Sequence, residues 1–240
     1  MSIPFLFYLK GTHMLINGAN YEPRTINDIV FGNDEARLRI EDIVHNIEEI
    51  PSSGKSAILL YGAYGTGKTT LAKMLPDNIE FGKTKNELVM PAEFIGCQQG
   101  FNGPQVMTLI ETILGVSSLN ASKIHYFILD EVDNLSKLAQ KSLKSALNTT
   151  RGIFILTTNN VSELDKGLLD RCVLVEMNAP KPNQCLDLVR SIVSDLAIEI
   201  ADEELLSVIR ASNGSFRNLI HNIGRYARRK AKSNEQNLII

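Results

Sequence analysis

Cysteine is scarce in this chain: only Cys97, Cys172 and Cys185 occur among 240 residues. They are far apart, odd in number and form no C-x-x-C pair, which excludes a disulfide framework or a paired-cysteine zinc module and fits a reducing compartment. The histidines, His13, His45, His125 and His221, are scattered without ligand spacing, so neither a histidine metal site nor a nucleophile–base arrangement is indicated. Long hydrophobic runs are missing as well. The longest early one, Pro4 to Leu9, is far too short to span a bilayer, and no basic segment or small-residue cleavage site flanks it. The expectation is therefore a cytoplasmic or nucleoid-associated protein that is neither secreted nor membrane-anchored. Large charge imbalance is also lacking: a formal net charge of −2, with 22% charged and 44% hydrophobic residues, is ordinary for a globular chain and names no partner.

What is present is an alternation. Short apolar runs recur at Ala57 to Tyr61, Glu87 to Met90, Tyr126 to Leu129, Ile153 to Thr157 and Val173 to Glu176, separated by helical patterns. This predicts an α/β fold, a parallel sheet with helices on both faces. Pro180 and Pro182 then break the chain. Beyond them only helical periodicity remains, in three stretches: Leu186 to Leu196, Leu205 to Ile209, and Phe216 to Tyr226. A small all-helical part is expected to follow the α/β core. Met14 lies just before the segment that begins to look folded, leaving residues 1–13 either as an extension of the reading frame or as a loosely held arm.

Gly62-Ala63-Tyr64-Gly65-Thr66-Gly67-Lys68-Thr69 follows the first apolar run and matches G-x-x-x-x-G-K-[ST]. Such a loop winds so that backbone N–H groups converge on phosphate oxygens; the lysine reaches the terminal phosphates and the threonine hydroxyl ligates Mg²⁺. Thr70 to Leu75 continues as a helix whose N-terminus points at the phosphates. The chain is thus expected to bind a nucleotide through Gly62, Gly65, Thr66, Gly67, Lys68, Thr69 and Thr70.

A second apolar run ends in Asp130-Glu131. At the carboxyl end of a strand both carboxylates open onto the crevice that holds the phosphate loop. Asp130 is expected to share the Mg²⁺ shell with Thr69, and Glu131 to orient and polarise an attacking water, because phosphoryl transfer needs charge neutralisation and positioning more than covalent help. A further run ends in Asn159-Asn160. A carboxamide there would hydrogen-bond the γ-phosphate or the water, though an asparagine pair also suits a plain turn.

Taken in order, these segments resemble the AAA+ ATPase family and, within it, the clamp-loader (replication factor C-like) small subunits. Tyr21 to Gly32 resembles the segment beside the adenine, with Ile29 and Val30 as its contacts. Gly62 to Thr69 matches Walker A and Leu129-Asp130-Glu131 matches Walker B. Thr157-Thr158-Asn159 resembles sensor 1, with Asn159 favoured over Asn160. Leu168-Leu169-Asp170-Arg171-Cys172 resembles the Ser-Arg-Cys motif, with aspartate for serine, and Gly214-Ser215-Phe216-Arg217 resembles sensor 2. The resemblance implies an arm over 1–20, a nucleotide-binding core over 21–179 and a helical lid over 180–240. It implies ATP and Mg²⁺ as cofactors, with Lys68, Asp130, Glu131, Asn159, Arg171 and Arg217 catalytic. Arg171 would act on the nucleotide of a neighbouring AAA+ subunit and Arg217 on its own, so a ring or spiral is expected, acting on DNA in replication with a sliding clamp as a further partner.

Two departures qualify the subfamily. Clamp-loader subunits continue past the lid into a helical collar, whereas this sequence ends at Ile240. Ile95 to Gly100 also lacks the Asn-x-Ser run of that family. Another AAA+ remodeller, such as a helicase loader or a transposition-associated ATPase, and an ATP-gated adaptor with little turnover remain the alternatives.

Two basic features are candidates for a macromolecular partner. Lys137, Lys141 and Lys144 form a stripe on an amphipathic helix opposite Leu135, Ala139, Leu143 and Leu147, which would track a nucleic-acid backbone or simply be a solvated face. Arg225, Arg228, Arg229, Lys230 and Lys232 close the last helix. They suit nucleic acid, an acidic partner surface, or the helix C-terminus itself. Tyr226 is the lone interleaved aromatic, so base stacking is not indicated.

Overall fold

The computed structural model describes residues 21–97, 103–195 and 200–237. The arm over 1–20, Gln98 to Gly100 and Leu196 lie outside them. The described residues form a five-stranded, all-parallel sheet in the order β2-β3-β4-β1-β5. Its strands are β1 (Ala57–Tyr61), β2 (Glu93–Gly96), β3 (His125–Asp130), β4 (Gly152–Thr158) and β5 (Cys172–Glu176). Helices α1 (Asp34–Val44) and α2 (Lys68–Thr84) cover one face; α3 (Gly103–Leu114), α4 (Lys137–Ala146) and α5 (Lys166–Asp170) cover the other. The side-chain alternation of a strand explains the two cores. In β1, Ile58 and Leu60 join the α1/α2 core while Ala57 and Leu59 join the other. In β1, β3 and β4 both faces are buried, which is why these strands read as continuous apolar runs.

The run predicted over Glu87 to Met90 is not a strand; the edge strand beside β3 is Glu93–Gly96. The N–H groups of Val89 and Met90 both donate to Asn120 Oδ1, at 3.1 and 2.7 Å, and Pro91 has no donor to offer. A buried side chain thus takes the hydrogen bonds that a sheet ladder would need. A second difference is α2, which runs through Pro76 to Thr84. Proline inside a helix costs about 3 kcal/mol, and here tertiary anchoring offsets it. Leu75, Ile79 and Glu80 beside it are buried. The Glu80 carboxylate accepts from Ser122 N at 2.9 Å, from Ser122 Oγ at 2.5 Å and from Tyr126 Oη at 2.9 Å.

Close packing of α1 on α2 depends on Gly82, where an added Cβ would lie 1.9 Å from the Val44 carbonyl oxygen. Because that neighbour is backbone, the helices must separate to admit a methyl group. Gly82→Ala is expected to destabilise the fold by about 1–3 kcal/mol, seen as a lower urea midpoint at constant m. An unchanged midpoint would contradict this packing.

After β5 the chain turns through Pro180 and Pro182 into α6 (Leu186–Asp195), α7 (Asp202–Arg210) and α8 (Phe216–Asn237). Their apolar faces form a third core of Cys185, Val189, Ile192, Leu205, Ile209, Leu219 and Ile223. The cysteines are free and buried. Burial pushes Cys97 and Cys172 up to about 12 and Cys185 up to about 11, which leaves them protonated and without nucleophilic character. Among the described residues no helix is long and apolar enough to cross a membrane.

Candidate active site

The parallel register brings three strand ends together. Tyr61 pairs with Thr158 and Leu129 with Leu156, so Gly62, Asp130 and Asn159 all emerge at the carboxyl end of the sheet. Between β1 and α2 the phosphate-loop glycines take conformations closed to most side chains, with φ of 142° at Gly62, 75° at Gly65 and 91° at Gly67. Within the loop, Thr66 Oγ1 donates to the Ala63 carbonyl at 3.0 Å. The Lys68 ammonium is folded back onto the loop, donating to the Gly62 and Ala63 carbonyls at 3.0 and 2.6 Å. Burial pulls its pKa below the usual value, while Asp130, Asp133 and Glu131 act in the opposite direction. Thr70 stands half-buried in the first turn of α2.

A short chain of hydrogen bonds ties the loop to the acidic strand end. Thr69 Oγ1 donates to Asp130 Oδ1 at 2.8 Å, and Thr157 Oγ1 donates to the same oxygen at 2.6 Å. Thr157 Oγ1 in turn accepts from the Glu131 N–H at 2.9 Å. Thr69 and Asp130 are hard oxygen donors converging beside a phosphate loop, a set that fits Mg²⁺. Glu131 itself sits in the left-handed region, φ 59°, a strained conformation for a non-glycine residue. Its carboxylate is exposed and accepts from Asn134 Nδ2 at 3.3 Å.

The two asparagines are distinguished by their partners. Asn160 Nδ2 donates to Asp133 Oδ2 at 3.1 Å, and Thr158 Oγ1 donates to Asp133 Oδ1 at 2.9 Å. Asn159 is half-buried, and its carboxamide has no hydrogen bond among the described residues. The free carboxamide at the strand end is therefore that of Asn159. Thr157, Thr158 and Asp133 were not foreseen as site residues. A run of hydroxyls at a strand end facing an acidic pair is the signal that points to them.

The helical part meets the loop directly. The Phe216 N–H donates to the Gly65 carbonyl at 2.9 Å, and a Cβ on Gly65 would lie 2.3 Å from Ser215 Oγ. Arg217 follows at once, exposed, with no hydrogen bond or ion pair among the described residues. Ile29 packs into the α1/α2 core while its neighbour Val30 packs against the α6–α8 core. A cavity of about 310 Å³ opens beside this junction, lined by Ala179, Pro180, Cys185, Ile209, Gly214 and Phe216 among others; neither Ile29 nor Val30 lines it.

Arg171 is elsewhere. It directly precedes β5, and its carbonyl accepts from the N–H groups of Ser56 and Ala57 at 3.2 and 3.3 Å, which places it at the amino end of the sheet. The length of β1, roughly 15 Å at 3.3 Å per residue, separates that end from the phosphate loop. Its guanidinium donates to Asn148 Oδ1 and to the Gly167 carbonyl, both at 2.8 Å. Of the α4 lysines, Lys137 donates to the Glu163 carbonyl and lies 3.9 Å from its carboxylate, and Lys144 lies 3.6 Å from Asp165. Lys141 alone of the three has no acidic partner among the described residues.

Residues 58–178, half of the chain, match the model of the "ATPase family associated with various cellular activities". The chain belongs to the AAA ATPase family. It is 25% identical over 208 residues to replication factor C small subunit 2 of Pyrobaculum islandicum, covering 84% of this chain and 60% of that protein. To the replication factor C large subunit of Methanosarcina mazei it is 26% identical over 212 residues, covering 85% of this chain and 32% of that one. The chain thus spans three-fifths or less of the length of these relatives. In fold it is similar to the Thermotoga maritima protein titled RuvB Holliday junction branch migration motor, with a TM-score of 0.61 at 17% identity over 84% of this chain and 63% of the other.

Proposed function

We propose that this AAA protein binds and hydrolyses ATP with Mg²⁺ and acts on DNA in replication, as part of a multi-subunit assembly similar to a clamp loader. The observation that carries the reading is the chain Thr69–Asp130–Thr157–Glu131 N–H at the mouth of the phosphate loop. The loop amides from Gly62 to Thr70 cradle the phosphates, and Lys68 exchanges its loop carbonyls for phosphate oxygens. Thr69 and Asp130 would hold the Mg²⁺, which would supply charge neutralisation on the phosphates. Thr157 holds both the Asp130 carboxylate and the backbone of Glu131, and so fixes the base relative to the metal ligands. Glu131 accepts the proton of the attacking water. Asn159 positions that water or the γ-phosphate; Asp133 ties Thr158 and Asn160 on either side of it and restrains its backbone. Ile29 and Val30 lie along the base, and Arg217 approaches the phosphates from the lid, 180–240, that closes on the core, 21–179. Arg171 completes a neighbour's site.

Steady-state hydrolysis measured against protein concentration, with and without primed duplex DNA, tests this. Turnover per chain should rise steeply with concentration and further with DNA. Flat, DNA-indifferent turnover would remove the clamp-loader reading and leave only the ATPase.

A further inference from the structure

The cations of the helical part fall into two groups. Arg190 bonds Asp202 at 2.5 and 3.1 Å and Asp187 at 2.8 Å, and Lys230 bonds Glu204 at 2.7 and 3.0 Å. Arg225, Arg228 and Arg229 on α8 are exposed and have neither hydrogen bond nor ion pair among the described residues. At 100° per residue these three, with Arg217 and His221, fall on the face opposite Leu219, Ile223 and Ala227, which are buried. From Phe216 to Ser233 the helix carries no acidic residue. On α4, by contrast, two of the three lysines are already held by Glu163 and Asp165.

We propose that the exposed arginine face of α8 is a docking surface for the phosphate backbone of duplex nucleic acid. Charge complementarity names the occupant: arginine forks match phosphate bidentately and stay charged at every accessible pH. The row from Arg217 to Arg229 is roughly 18 Å long at 1.5 Å per residue, the axial span of about five phosphates of one strand at 3.4 Å each. Tyr226, the aromatic among them, is half-buried with its hydroxyl bonded to Glu204. The face therefore offers charge without a stacking platform, which suits a duplex backbone rather than unstacked bases. This inference rests on the reading that the chain acts on DNA, and it places a contact on the lid that the α4 stripe does not supply.

The test is binding of a fluorescein-labelled duplex of about 30 base pairs, followed by anisotropy across a salt series, with the full chain and two triple variants. Arg225→Gln/Arg228→Gln/Arg229→Gln should weaken binding about tenfold or more and make the log–log salt slope shallower by roughly 3. Arg225→Lys/Arg228→Lys/Arg229→Lys should keep most of the slope, which a packing defect would not allow. DNA-free ATP hydrolysis should be the same in all three proteins, so a chain that hydrolyses nothing sinks the catalytic reading without touching this one. No duplex binding by the wild type, or unchanged affinity and slope in the glutamine variant, would overturn the proposal. So would loss of self-association alone, which would assign the face to an acidic protein partner.

Discussion

Glu131→Gln is expected to stop ATP turnover while leaving ATP bound as tightly as before. The substitution removes the proton acceptor and keeps the shape. Thr69, Asp130 and Thr157 are bonded to one another without the Glu131 carboxylate, and the link from Thr157 to residue 131 runs through its backbone N–H. The residues proposed to hold Mg²⁺ and the phosphate loop should therefore stay in place. A positioned general base contributes typically 10²–10⁴-fold, so phosphate release should fall by about that factor, with unchanged affinity for a fluorescent ATP analogue. The same experiment separates an enzyme from an ATP-gated adaptor. If turnover survives the substitution, Glu131 is not the base, and the strained backbone that presents it needs another explanation.

Arg171→Ala should be comparably severe, but only in the assembled protein. The residue sits at the amino end of the sheet while its own phosphate loop is at the carboxyl end, so no side-chain rotation takes it to its own nucleotide. In the proposed assembly the guanidinium would leave Asn148 and Gly167 and act on a neighbouring chain's nucleotide. Arginines supplied across an interface are worth about 10³–10⁵ in rate where measured, and a loss of that order is expected with no change in ATP binding by the isolated chain. A mixture of Arg171→Ala and Glu131→Gln chains gives the sharper result. Some interfaces then pair an intact Glu131 with an intact Arg171, and part of the turnover should return. Two inactive proteins that remain inactive together would refute a role across subunits, as would loss of ATP binding by the single variant.

Much of the sheet was legible because its central strands are covered on both faces and so read as uninterrupted apolar runs. The runs beginning near Ala57, Tyr126, Ile153 and Val173 each became a strand. Glu87 to Met90 failed because its backbone donors bond a side chain thirty residues away in sequence, a pairing that no local pattern encodes. Helix α2 runs well beyond Thr70 to Leu75 for a related reason: Pro76 is accommodated inside it by the hydrogen bonds that bury Glu80 against Ser122 and Tyr126.

The phosphate loop, the acidic strand end and the asparagine pair are properties of the sequence by itself, because glycine geometry and carboxylate chemistry depend on residue type and close spacing. Their mutual arrangement is not. Only the parallel register sets Thr157 between Asp130 and Glu131, gives Asp133 to Asn160 and leaves the Asn159 carboxamide without a hydrogen bond among the described residues. Only the strand direction turns Arg171 away from its own loop. The same holds for charge. In the sequence the lysines of α4 and the arginines of α8 are equally basic; the fold sets Glu163 and Asp165 beside Lys137 and Lys144, while no carboxylate among the described residues pairs with Arg225, Arg228 or Arg229. Electrostatic pairing acts over a few ångströms of space, and in a folded chain those few ångströms are set by packing rather than by distance along the sequence.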